Sequence, residues 1–449
     1  MADDDHPMSR RFWFGRVDPR PLAAFRILFG LALLWDIAGR VPDLVAFYTD
    51  DGFLPRGTQV ESWTWSVLDL VSSRAGVGLV FVLGAAATLA FTLGLATRVM
   101  TVVVWLFFVS VYHRNLLVSS CAESLTVGLL FWAMFADLGA AFSLDVRLGR
   151  RTSTSVPAFG LRLLQAQIAV MYFEAFYFKV RGGWLDGSGL HASLQLVGFQ
   201  RPAGAWLLEH PVLCEVFGFA TLAAELAIPV LAFSPWRIRS SRALAALLCF
   251  GVQLGIAVTM RVPLFQTVAF AAGVLYVQSC WFDRAGLRVV LDAKASSSVT
   301  RNLLAAALYV QCALAAAAGT FEDRVPRVVH TELEWTGLSV SFKMFGSAGP
   351  NASWRVVGQR ADGTKVDVLA VAAPGMRAAP GWSGERWYKF TFKPNIPFSS
   401  LHSYLCRTYN AERPRVDRLS IERTVRLPHR PGEPVKPTRD EVLYEGPCP

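Results

Sequence analysis

Charge is what this chain has least of. Only 17% of its 449 residues are Asp, Glu, Lys or Arg, against about 25% in an average soluble domain. Cysteine is also sparse, seven in all, and no Cys/His spacing resembles a zinc site, so no metal is expected. Residues 1–20 are polar and Arg-rich and lack an apolar core before a small-residue cleavage site, so no removable signal peptide is expected. No basic stripe interleaved with aromatics is present, so the net charge of +10 does not point to nucleic acid. No internal repeat stands out, which argues against a transporter built from inverted repeats.

Apolar residues, by contrast, reach 53% and fall in long blocks. Nine can be read: 22–41, 77–95, 99–118, 122–142, 158–178, 212–233, 243–260, 262–280 and 303–319. Most are long enough to cross hydrocarbon, which needs roughly 17–25 helical residues. The fold expected is a polytopic α-helical membrane protein of eight or nine spans, with the lipid bilayer as its first partner.

Basic residues near span ends mark the cytoplasmic side. The N-terminal Arg10, Arg11, Arg16 and Arg20 place that end inside. Alternation then puts Arg98, the group Arg147, Arg150, Arg151 and Arg162, the group Arg237, Arg239 and Arg242, and the group Arg284, Arg288, Lys294 and Arg301 inside as well. The first outside loop is mainly acidic, with Asp43, Asp50, Asp51, Glu61 and Asp69. The expected topology has the N-terminus cytoplasmic and the C-terminal domain extracytoplasmic.

The expected domains are a cytoplasmic segment 1–20, a multi-helix membrane domain 21–282, a linker and last span 283–320, and a β-rich extracytoplasmic domain 321–449. In that last domain, 330–345, 354–357, 365–371, 385–392 and 418–427 look like strands, the second and third flanking the turn signal Asp362-Gly363. A sandwich is expected, with coil at 428–437. Cys406 and Cys448 lie in this domain and are disulfide candidates outside the cell interior.

Ionisable residues inside spans are costly and invite a functional reading. The first block holds Arg26 and Asp36, the fourth Glu123 and Asp137, the fifth Glu174, and the sixth Glu225. Each also has a structural reading as a paired or snorkelling charge. Asp36 and Arg40, four apart, could pair on one helix face. Glu225 stands four residues before Pro229, which cannot donate to the Glu225 carbonyl. Lys179 has the most suggestive setting. The stretch QAQIAVMYFEAFYFK, residues 165–179, ends on it, and Gly182, Gly183 and WLDG follow. This looks like a helix that breaks at a cavity or an interface. Burial among aromatics disfavours the ammonium form, and a neutral amine can act as a general base. The alternative is that Lys179 and Arg181 contact lipid phosphates.

Residues 22–56, LAAFRILFGLALLWDIAGRVPDLVAFYTDDGFLPR, resemble the opening of the horizontally transferred transmembrane (HTTM) domain, the membrane portion shared with vitamin K-dependent gamma-carboxylases. Arg114-Asn115, the segment FSLD at 142–145 and YFEAFYFKVRGGWLDG at 172–187 fit the same resemblance, which covers roughly 18–280. It implies that Lys179 is the base that deprotonates reduced vitamin K or another quinol. It also implies quinol epoxidation, coupled in the carboxylases to carboxylation of a glutamate in a protein or peptide substrate. Supporting residues would be Glu174, Tyr177, Trp184, Glu225, Arg26, Asp36 and Glu123. Two positions depart from the family: Ser119-Ser120-Cys121-Ala122-Glu123 lacks the histidine of the animal enzymes, and Gln253 stands where a histidine is frequent. The other function open at this point is a non-catalytic HTTM protein serving transport, immunity or assembly of a partner.

Overall fold

The computed structural model describes residues 6–57, 64–151, 155–196, 198–287, 298–346, 349–376, 385–393 and 395–449. Glu61, Arg288 and Lys294 lie outside the described residues. A helix forms at each of the nine apolar blocks: α1 (Arg20–Arg40), α2 (Arg74–Leu93), α3 (Thr97–Arg114), α4 (Cys121–Ala133), α5 (Ala158–Arg181), α6 (Pro211–Ala232), α7 (Ile238–Thr259), α8 (Pro263–Gly273) and α9 (Val299–Thr320). Among the described residues five helical runs are long and apolar enough to cross a membrane: Arg20–Tyr48, which begins with α1, and α2, α6, α7 and α9. The first is the most buried of them and α7 the least, so α1 runs through the bundle while α6 and α7 lie at its periphery. α2, α6 and α7 expose large apolar side chains such as Val82, Val216 and Leu254, as lipid-facing surfaces do.

Two of the expected spans come out short. α4 has 13 residues and α8 has 11, or about 20 Å and 17 Å at 1.5 Å per residue, well under a hydrocarbon core of roughly 30 Å. Residues 134–142 were expected to continue α4 but form turns. Arg26 explains how this stretch is stabilised. Its guanidinium, fully buried, donates to the carbonyls of Leu138 (2.7 Å), Ala141 (3.3 Å) and Phe142 (2.5 Å) and to Thr92 of α2 (3.3 Å). Irregular backbone survives inside such a bundle only when protein groups satisfy its carbonyls.

The C-terminal region carries one four-stranded antiparallel sheet, not a sandwich. Its strands are β1 (Asn351–Gln359), β2 (Lys365–Asp367), β3 (Arg418–Arg426) and β4 (Arg439–Pro447), in the order β2-β1-β3-β4. The β1–β2 hairpin turns at Asp362-Gly363, with Gly363 at φ +83°. Two expected strands are helices: α10 (Arg327–Thr336) takes up the first part of 330–345, and α11 (Glu385–Phe390) replaces the strand at 385–392. A third helix, α12 (Phe398–Glu412), was not expected and neither was β4. Packing against α12 is what replaces a second sheet. Cys406 of α12 is disulfide-bonded to Cys448, just after β4. The apolar core is continuous between the two regions: Trp387 and Phe390 of α11 pack on Phe53, and Trp387 also packs on Phe47, both from the segment after α1.

Candidate functional site

α5 runs to Arg181 and stops where Gly182 and Gly183 follow, the latter at φ +94°. One 3-10 turn, Trp184–Asp186, leads through Gly187 (φ +81°) to a short helix, Gly189–Leu194. A Cβ at Gly189 would lie 2.2 Å from the Trp184 ring. Glycine there lets the indole lie flat on the following helix, and the break folds Trp184 back toward the end of α5. Lys179 Nζ sits 5.3 Å from the Trp184 ring centroid, a cation–π distance. The indole N–H donates to the Phe345 carbonyl at 2.8 Å, which ties the break to the chain after α10.

Lys179 does not stand alone. Its ammonium donates to Glu225 Oε1 of α6 at 2.6 Å, with both side chains about 5% exposed or less. The second carboxylate oxygen, Oε2, is buried and has no hydrogen-bond partner among the described residues. The lysine expected at the helix break is therefore half of a buried pair between α5 and α6.

This pair lies on the wall of a cavity of about 800 Å³. Trp184, Phe217, Leu247, Leu254, Val258 and Phe345 supply much of the apolar lining. Phe217 of α6 and Leu247, Leu254 and Val258 of α7 are exposed, so the cavity is open along the two peripheral helices. α7 also turns Gly251 and Gly255 to it, and a Cβ at either would meet nothing within 4 Å. These two small residues, four apart on one face, leave the space.

The same wall carries Ser120, Cys121 and Ala122 at the start of α4, and Lys389 of α11. Lys389 Nζ donates to both oxygens of Glu123, at 2.8 and 3.2 Å. Glu123 also accepts from the Ser120 N–H (2.8 Å) and hydroxyl (2.9 Å), closing a capping box on α4, and from Arg40 (3.3 Å). Arg40 donates to Asp36 at 2.7 Å, and Arg386 of α11 to the other Asp36 oxygen at 2.6 Å. Asp36 and Glu123 thus anchor α11 on the membrane helices.

Of the residues singled out by sequence, Lys179, Trp184 and Glu225 come together at the cavity. Arg26, Asp36, Glu123, Glu174 and Tyr177 do not line it. Glu174 is buried and accepts from the Phe342 N–H (2.8 Å) and the Thr320 hydroxyl (3.1 Å), fixing the chain after α9. Tyr177 accepts from Arg181 at 2.8 Å and packs on Phe321. Gln253 donates to the Tyr172 hydroxyl at 3.0 Å. Lys389 and Arg386 were missed. The signal was in ERWYKF: Arg386 and Lys389, like Trp387 and Phe390, repeat at a spacing of three, a helical rather than strand period. Among the described residues one trio has metal-ligand character, His402, Cys406 and Cys448, but the disulfide occupies both sulfurs.

A family model described as the HTTM domain matches residues 14–281, a range that holds α1 to α8. The chain belongs to the HTTM domain family, and with five bilayer-length apolar helical runs it is an integral membrane protein. Comparison with curated proteins and with solved structures finds no match.

Proposed function

We propose that this HTTM protein binds a reduced quinone from the bilayer and that Lys179 deprotonates it. The observation that carries the reading is the Lys179–Glu225 pair, 2.6 Å apart on the wall of an open apolar cavity. Apolar lining with a few convergent polar groups is the usual form of a site for a lipid-soluble ligand. Two facing charges out of water are costly to keep. One proton crossing from Lys179 to Glu225 removes both charges and leaves a neutral amine facing the cavity. Glu225 then holds the proton, with Oε2 still available to accept a hydrogen bond. The amine takes a proton from an acidic hydroxyl of the ligand, and the resulting ammonium, held over the Trp184 face, stabilises the anion it has made. A quinol supplies that hydroxyl and, with dioxygen, yields a quinone epoxide and water. Carboxylation of a glutamate in a protein or peptide is the further step the family resemblance implies.

In this reading the N-terminus is cytoplasmic and the C-terminal domain extracytoplasmic. Basic loops support the first, and the Cys406–Cys448 disulfide supports the second.

The test is dioxygen-dependent oxidation of a long-chain naphthoquinol by the purified protein in lipid nanodiscs. Lys179→Met and Lys179→Arg should both lose turnover by at least about 100-fold, the scale of a positioned base, while still binding the quinone. Full activity in Lys179→Arg would refute the base. The completed pair also favours a second reading, a non-catalytic HTTM protein in which Lys179 and Glu225 only join α5 to α6. That reading expects no quinol oxidation by the unaltered chain.

A further inference from the structure

Six arginines are buried among the described residues: Arg20, Arg26, Arg40, Arg114, Arg162 and Arg386. The buried lysines are two, Lys179 and Lys389, and both stand on the wall of the same cavity. The chain has only seven lysines in its whole length. Elsewhere it satisfies its buried ion pairs with guanidinium forks. At the cavity it uses the compact ammonium, a point charge with three donors that can turn between partners.

The two lysines differ in their surroundings. Lys179 faces one carboxylate. Lys389 shares Glu123 with Arg40, and the half-buried Lys393 faces Glu123 as well. The start of α4, a 13-residue helix whose N-terminal end carries partial positive charge, forms the wall beside it. One carboxylate here is approached by three cations, of which Arg40 is also held by Asp36. Positive potential at a low-dielectric wall favours a negative group in the cavity.

We infer that Lys389 is an anion-binding pole of this cavity, and that its ligand is a long-chain carboxylic acid taken from the bilayer. A single ammonium suits one carboxylate, and the apolar wall suits the chain. The C-terminal region would then complete the ligand site rather than only cover it. The inference rests on the cavity being a ligand site, as proposed above, but not on quinol chemistry.

Cys121 is a native reporter, since it lies on the wall and is only partly buried. The full chain in nanodiscs is treated with N-ethylmaleimide, and modification is read at each cysteine by mass spectrometry. Oleic acid, methyl oleate, acetate and a long-chain naphthoquinol are added separately, at a mildly alkaline pH that ionises the acid. Buried Cys214, Cys249 and Cys312 stay unmodified in any variant that is folded. Oleate should protect Cys121 at concentrations at least about tenfold below methyl oleate, the worth of one charge-assisted hydrogen bond, and acetate should not protect. Lys389→Met should erase the preference for acid over ester and leave protection by the ester. Lys389→Gln serves if Lys389→Met does not fold, and Lys389→Arg should keep the preference. Equal protection by acid and ester in the unaltered chain, or a preference that survives in Lys389→Met, overturns the inference. Protection by the quinol but not the acid removes this inference and leaves the quinol reading. Protection by the acid but not the quinol does the reverse, and protection by neither removes both.

Discussion

Replacing Glu225 with leucine leaves Lys179 in an apolar wall without its carboxylate. At the 2.6 Å contact the attraction between unit charges is about 6 kcal/mol at an effective dielectric of roughly 20. Desolvating each ion costs several kcal/mol. The intact pair is therefore near break-even, while either half alone keeps its desolvation cost without the attraction. Glu225→Leu and Lys179→Met should each destabilise the protein by about 3 kcal/mol, with the range for broken buried pairs reaching about 5 kcal/mol. The double variant should cost no more than either single one, giving a coupling of at least about 3 kcal/mol in a double-mutant cycle. The assay is the detergent-unfolding equilibrium of the four proteins in the same lipid–detergent mixture, run beside quinol oxidation. A double variant that is stable but inactive would mean that the pair is retained for chemistry at no gain in stability. Strict additivity of the two single losses would refute the reasoning, because it would mean that the two side chains do not share one buried interaction.

Gly255→Leu should fill the space left on α7 and abolish quinone binding with little change in stability, measured by binding titration beside thermal unfolding. Asp145, in the short helix Leu144–Arg147 outside the spans, caps α3 by accepting from the Ala96 and Thr97 N–H groups at 2.9 and 3.0 Å. Asp145→Ala should cost about 1–2 kcal/mol. Burial raises the Asp145 carboxyl, but the bonds from Thr97 and Ala96 and the Arg151 charge outweigh it and hold it below the ordinary value. Its contribution is thus complete above the ordinary aspartate pKa and is lost as pH falls through the lowered one; an acid unfolding profile unchanged in Asp145→Ala would contradict this. Burial pushes the Lys393 ammonium down, against the opposing pull of Glu123 and Cys121, and Lys389 pushes it further. Oleate affinity should accordingly decline on the alkaline side before the ordinary lysine range is reached, and Lys393→Gln should remove that limb. Reducing the Cys406–Cys448 bond, which spans 42 residues, should cost the C-terminal region about 2–5 kcal/mol, seen as a lower unfolding midpoint with dithiothreitol.

The membrane helices were legible because a bilayer imposes length and apolarity on contiguous residues, and all nine blocks contain a helix. Where the reading failed, long-range contacts decided the outcome. The α4 block stops at Ala133 because Arg26, more than a hundred residues earlier in the chain, takes the carbonyls of Leu138, Ala141 and Phe142. ERWYKF alternates well enough for a strand, yet Arg386 and Lys389 are drawn to Asp36 and Glu123 on other helices and the segment coils. The break after Lys179 was visible in its glycines. Its partner Glu225 was visible only as an odd charge near a proline, since nothing local says that α5 and α6 are neighbours. Lys389 was hidden for the same reason: its role depends on a fold that returns the C-terminal region to the start of α4.

A photoreactive long-chain naphthoquinone, cross-linked to the protein in nanodiscs and located by mass spectrometry, tests the cavity most directly. It should label α6 and α7 at Phe217, Leu254 or Val258, should be competed by the unmodified quinone, and should be lost in Gly255→Leu. Labelling spread over the lipid-facing surfaces of α2 and α9, without competition and unchanged in Gly255→Leu, would contradict a quinone site beside Lys179 and Glu225.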